Sequence, residues 1–214
     1  MIKIKNISKK YGDLQVLKDV SLEFSHGITC ISGVSGIGKT TLCRIIAGLE
    51  QADSGEIFFS NETSQSENTC IKAKNITENV PRFSYVFQED RLLSQLNVIK
   101  NLLFVTNKKA KNTSAHDIAV DLLTKIGLSD SADKPVSELS GGMKRRAAVC
   151  RALMIDADVY IFDEPFKGLD EKTKKLAMDL VKSQTRGKIV IVITHDETET
   201  EYLSATKTVN LSFT

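Results

Sequence analysis

Apolar residues change their spacing several times along the chain, and each change predicts an element. Ile2, Ile4 and Ile7 open with strand-like alternation. A second strand is predicted from Val16 to Phe24, and Ile28 to Ser32 is a short apolar run that stops at a glycine-rich turn. Thr40 to Leu49 then reads as a helix with Gly48 near its end. Ile57 to Phe59 and Phe83 to Phe87 read as further strands. Between them Asn61 to Thr69 is polar without a period, the pattern of a surface loop.

From Leu92 to about Leu153 the spacing becomes helical. Ile118, Leu122, Leu123 and Ile126 recur at helix intervals, with Thr113 or Ser114 as N-cap. A further helix is predicted from Gly141 to Met154, capped by Ser140. Val159 to Phe162 and Ile189 to Ile193 are continuous runs of β-branched and aromatic residues, as in strands of a parallel sheet buried on both faces. Glu171 to Lys182 is a helix between them. The predicted fold is an α/β core with a helical insert over about residues 89–154.

Composition narrows the class. The 214 residues suit one compact domain, or one domain with a small subdomain. A net charge of +2 is too small to point to nucleic acid as a main partner. No run of eighteen apolar residues is present, and the N-terminus lacks the apolar stretch of a signal peptide, so a cytosolic chain is expected. None of Cys30, Cys43, Cys70 and Cys150 forms a CxxC pair, and reduced packing thiols are the expectation.

The strongest chemistry lies at Gly33-Val34-Ser35-Gly36-Ile37-Gly38-Lys39-Thr40, followed by Thr41. It fits GxxxxGK[ST] between a strand and a helix, the context a phosphate loop requires. Backbone N–H groups must approach phosphate oxygens closely, which favours glycine, and the helix N-terminus adds positive potential. Lys39 would place its charge on the terminal phosphates, and the Thr40 hydroxyl can ligate Mg²⁺. A second candidate is the strand end Phe162-Asp163-Glu164. There Asp163 would hold Mg²⁺ through a water, and Glu164 would orient or deprotonate the attacking water.

Together with these, Leu139-Ser140-Gly141-Gly142-Met143 closely resembles the LSGGQ signature of ABC-type ATPases. Gln88 looks like that family's Q-loop glutamine, Gly168-Leu169-Asp170 its D-loop, His195 its switch histidine, and Tyr11 the aromatic residue that stacks on adenine. The resemblance covers essentially the whole chain in the family's order. It implies a P-loop ATPase with a mostly parallel core sheet, an N-terminal antiparallel β subdomain and an inserted helical subdomain. Glu164, His195 and Gln88 would be catalytic, and Thr40, Gln88 and Asp163 would hold the metal. Ser140 caps a helix whose first N–H groups are bared by Gly141 and Gly142, a second anion site. The resemblance implies that two chains meet head to tail, each ATP lying between one phosphate loop and the other chain's signature.

Two positions depart from the pattern. Met143 replaces a glutamine, and a thioether can donate no hydrogen bond. Lys167-Gly168 stands where small residues are commoner. The basic run Lys144-Arg145-Arg146 reads as a solvated helix face. Gln88-Glu89-Asp90-Arg91-Leu92-Leu93 resembles importer ATPases for nitrate, sulfonate and taurine, although Ser94-Gln95 replaces their frequent Pro-Trp.

The resemblance therefore implies an ATP-hydrolysing transporter subunit, that of a small-solute importer, using ATP and Mg²⁺. Its partners would be a like or unlike ATPase subunit, a transmembrane permease subunit and an external solute-binding protein. It would sit peripherally on the cytoplasmic face of the membrane, with no nucleic acid expected. The alternative is a soluble ABC-type mechanical ATPase acting on nucleic acid or ribosomes. Such proteins usually carry a long coiled-coil insert or two ATPase units, and neither is present.

Overall fold

The alternation of the first strand breaks after Ile4, and the backbone absorbs the break. A computed structural model describes residues 1–60, 69–72, 80–106 and 114–212. In it β1 (Ile2–Tyr11) pairs antiparallel with β2 (Leu14–Phe24). Register shifts between Ile4 and Ile7, where Asn6 adopts a left-handed φ of 51°. This bulge keeps Ile7 on the buried side with Ile2 and Ile4. β4 (Ser54–Phe59) pairs with β1 and β5 (Thr69–Lys72) with β4, closing an antiparallel sheet of order β2-β1-β4-β5. Thr69, expected to end a loop, thus begins a strand; residues 61–68 lie outside the described residues.

The second sheet is parallel throughout. It contains β3 (Gly27–Ser32), β6 (Phe83–Val86), β7 (Val159–Asp163), β8 (Ile189–Ile193) and β9 (Lys207–Asn210), in the order β6-β7-β8-β3-β9. Every residue of β7 and β8 is buried, which explains their unbroken apolar runs. Alternate residues serve two cores. Val159, Ile161, Ile189, Ile191 and Ile193 join β1 and α1 (Lys39–Ile46) on one face. Tyr160, Phe162, Val190 and Val192 face α3 (Ser114–Lys125), α4 (Gly141–Leu153) and α5 (Glu171–Gln184) on the other.

Among the described residues, three α-helices, α2 (Val98–Phe104), α3 and α4, lie between β6 and β7, within the stretch read as a helical insert. α3 already includes Ser114, so that residue does not cap it from outside, and Thr113 lies outside the described residues. Asn101 in α2 is 1% exposed and holds the preceding loop. Its side chain accepts from Leu93 N–H at 2.7 Å and donates to the carbonyls of Leu93 and Asn97. α1 is shorter than predicted. It stops at Ile46, because Gly48 and Leu49 N–H groups turn back onto Ile45 and Arg44 carbonyls. α6 (Glu197–Tyr202) and β9 complete the chain. Besides β5, the pattern also missed β9, since Val209 is its one buried residue.

Candidate active site

Tertiary packing forces the phosphate loop into shape before any ligand arrives. Gly33 has φ 137°, and a Cβ there would sit 2.6 Å from the Leu211 carbonyl oxygen. At Gly38, φ 99°, a Cβ would meet Leu17 Cδ2 and the Val16 carbonyl oxygen at 2.8 Å. Only glycine fits either place. Ile37 anchors the loop in the core, while Val34, Ser35 and Gly36 stay exposed. Lys39 is 6% exposed, and its ammonium donates to the carbonyls of Gly33 at 2.7 Å and Val34 at 2.9 Å. Burial pushes its pKa down, and the negative charges of Glu164 and Asp163 oppose that shift.

Three segments distant in sequence meet beside this loop. The Thr40 hydroxyl donates to Asp163 Oδ2 at 2.8 Å. Burial raises the Asp163 pKa, and the Thr40 hydrogen bond works against it. A hydroxyl and a buried carboxylate at this separation form the hard oxygen donor set that suits Mg²⁺. Beside them the buried Tyr85 hydroxyl has no hydrogen-bond partner among the described residues. Glu164, just past β7, holds φ 48°, a strained value for a side chain of its size. Its Oε1 lies 3.4 Å from His195 Nε2 and its Oε2 2.7 Å from Lys167 Nζ. Sequence reasoning named Glu164 and His195 as site residues but anticipated neither contact; the signal for the second was the spacing of three from Glu164 to Lys167.

His195 is held by a polar network on its own turn. Lys174 from α5 reaches Asp196 at 3.0 Å and the buried Glu199 at 3.3 Å, and Glu199 accepts from the Thr194 hydroxyl at 2.5 Å. Hydrogen bonds from Thr198, then Lys174, pull the Asp196 pKa down to about 2. Tyr11 is about half exposed, and its hydroxyl donates to Glu50. Burial, then that hydrogen bond, raises the Tyr11 pKa.

The signature segment lies elsewhere. Ser140 caps α4 by accepting from Met143 N–H at 3.3 Å, as predicted. A Cβ on Gly141 would meet nothing within 4 Å. Leu139 is buried, Gly142 and Met143 are half-buried, and Met143 packs on the core. α4 belongs to the core on the face of the parallel sheet opposite α1, so the two helix N-termini serve different layers. Asp170 caps α5, accepting from Lys172 and Thr173 N–H at 3.1 Å and from the Thr173 hydroxyl at 2.7 Å; the hydroxyl bond first, then the Thr173 N–H, holds its carboxyl below the usual range.

One expectation is corrected. Lys144 to Arg146 is not a solvated face: Arg145 is 7% exposed, and Arg146 donates to the Ile126 carbonyl at 2.7 Å. The signal was helical spacing, since Arg145 shares the buried side of α4 with Val149, four residues on.

Comparison with known proteins bears on this geometry directly. The family model described as "ABC transporter" matches residues 17–167. This chain belongs to the ABC transporter family. It is an ATPase of that family, with the mostly parallel core, antiparallel β sheet and inserted helices expected of the fold. It is 34% identical over 209 residues to the lipoprotein-releasing system ATP-binding protein LolD of Francisella tularensis, covering 92% of this chain and 88% of LolD. It is 36% identical over 200 residues to the glutamate/aspartate import ATP-binding protein GltL of Escherichia coli, covering 92% and 81%. The sulfate/thiosulfate import ATP-binding protein CysA of Bacillus cereus is 38% identical over 206 residues, 92% of this chain but 55% of CysA. Among solved structures, the ATP-binding cassette MJ0796, in a dimeric post-hydrolysis state bound to ADP and Pi, superposes with a TM-score of 0.83. It is 28% identical, with 99% of this chain and 94% of that one covered. No helix among the described residues is long and apolar enough to cross a membrane.

Proposed function

We propose that this chain binds Mg·ATP at its phosphate loop and spends its hydrolysis on small-solute import through a separate membrane subunit. The observation that carries the reading is the convergence of Lys39, Thr40, Asp163, Glu164 and His195 from three sequence segments, with the Thr40 and Asp163 oxygens 2.8 Å apart. Gly33, Val34, Ser35, Gly36, Ile37, Gly38, Lys39, Thr40 and Thr41 cradle the phosphates, and Tyr11 offers its exposed ring to adenine. Thr40, Asp163 and Gln88 would hold Mg²⁺, which would supply charge neutralisation at the terminal phosphates. Glu164 would orient or deprotonate the attacking water, and His195 would contact the γ-phosphate.

A phosphate loop and a signature on opposite faces of one sheet do not serve one ATP within one chain. We infer a head-to-tail dimer in which Ser140, Gly141 and Gly142 of each protomer complete the other's site, with Asp170 near the junction. The dimeric state of the similar cassette MJ0796 supports this. The insert over residues 89–154 forms the helical subdomain that turns toward the membrane partner. The importer assignment rests on the GltL and CysA likeness, while the run Gln88 to Leu93 favours the nitrate, sulfonate and taurine type. An external solute-binding protein and a peripheral place on the cytoplasmic face follow from it. The mechanical nucleic-acid alternative gains nothing from the three relatives named, all transport-system subunits.

The test is Glu164→Gln. The variant is expected to bind ATP, accumulate as an ATP-bound dimer, and lose at least a hundredfold in turnover, about 2.7 kcal/mol of barrier. Normal phosphate release by this variant would remove Glu164 as the base.

A further inference from the structure

The loop carrying Gln88 is fastened to the signature helix by two arginines, of which Arg145 is buried. Arg145, one turn into α4, donates to the Phe87 carbonyl at 2.8 Å and to the Gln88 carbonyl, and its Nε lies 3.2 Å from Asp90 Oδ1. Arg151 on the same helix donates to the Asp90 carbonyl at 3.0 Å and the Arg91 carbonyl at 2.6 Å. On the outside of the loop the Arg91 guanidinium stacks 4.0 Å over the Phe87 ring. The Arg145 guanidinium is planar and its fork engages two successive carbonyls, which fixes direction as well as distance. At 7% exposure no solvent competes for these donors. The Gln88 side chain itself is left exposed.

We propose that Arg145 is a positioning residue that makes the Gln88 loop and the N-terminus of α4 move as one body. The proposal rests on the head-to-tail reading above. In that arrangement Gln88 meets the chain's own ATP, while Ser140 and Gly141 meet the partner's. A shift of the loop on nucleotide binding is carried by Arg145 into the helix and reaches the second site. A lysine ammonium could reach both carbonyls but lacks the planar fork that fixes their direction while the third guanidinium nitrogen faces Asp90, and an apolar residue holds none. The two ATP sites are then coupled through the loop and the helix, with Arg145 the side chain nearest Gln88 that ties them.

The experiment measures steady-state hydrolysis of the full-length protein against ATP concentration, beside binding of a fluorescent ATP analogue at protein concentrations too low for dimers. The wild type is expected to show a Hill coefficient between about 1.5 and 2. Arg145→Met is expected to lower it to about 1 and to cut kcat about tenfold, with analogue affinity within about twofold. Arg145→Lys restores part of kcat and part of the cooperativity. Because Arg145→Met leaves Asp90 unpaired, the neutral pair Arg145→Met with Asp90→Asn is run alongside, and either soluble variant decides. An unchanged Hill coefficient, or analogue binding lost together with thermal stability, overturns the proposal. Failure of the site reading shows separately, as normal turnover in Glu164→Gln.

Discussion

The two helix N-termini proposed to carry this protein's phosphate chemistry are built in opposite ways. At α1 the loop is shaped from behind: Gly33 lies against the Leu211 carbonyl, Gly38 against Val16 and Leu17, and Lys39 is folded onto the loop's own carbonyls. At α4 a Cβ on Gly141 would meet nothing within 4 Å, and one on Gly142 would only touch Leu169 Cδ2 at 3.4 Å. The first loop is shaped by its own chain, so reorganisation on binding would be small. The second end faces open space, and in the proposed dimer its complement comes from the partner chain. Glycine thus does two jobs here. At Gly33 and Gly38 it avoids clashes within the fold, and at Gly141 it leaves room that the proposed partner site would fill.

Substitutions that add one methyl group separate these jobs. Gly38→Ala combines a left-handed φ with backbone overlap at 2.8 Å. It should cost about 3 kcal/mol or more of stability and abolish ATP binding, measurable by denaturant unfolding and nucleotide titration. Gly141→Ala should leave unfolding within about 1 kcal/mol of wild type, since alanine favours the helix, yet lower turnover at least tenfold without weakening ATP binding to the monomer. If both variants lost ATP binding, or both kept turnover, the distinction between the two ends would collapse. Ser140→Ala sharpens the same comparison at the smallest scale. The cap bond is long at 3.3 Å. Its loss should therefore cost roughly 0.5–1 kcal/mol in chemical denaturation, with turnover falling more than stability can explain.

Much of the site was legible because its chemistry requires particular residues at particular spacings. The proposed phosphate loop has Gly33, Gly36, Gly38 and Lys39 in the order such chemistry needs, and the strand proposed to feed a metal site ends in the acids Asp163 and Glu164. β7 and β8 were equally plain, as strands covered on both faces tolerate no polar residue. β9 was illegible because an edge strand with one buried side chain carries no period. Arg145 was misread because charge is an unreliable sign of exposure once backbone carbonyls can satisfy a guanidinium.

By itself, then, the sequence determined β3, β6, β7 and β8 of the parallel core, the phosphate loop, the acidic strand end and the capped signature helix, since each is a local pattern of spacing and residue type. The tertiary structure alone decided which of them share a site. It bends β1 at Asn6, brings Leu211 from the far end of the chain to shape Gly33, and places Lys167 on Glu164 and Arg145 on the Gln88 loop. It also sets the phosphate loop and the signature on opposite faces of one sheet. Those relations depend on long-range packing and on backbone carbonyls, which have the same chemistry at every residue and leave no trace in the pattern of side chains.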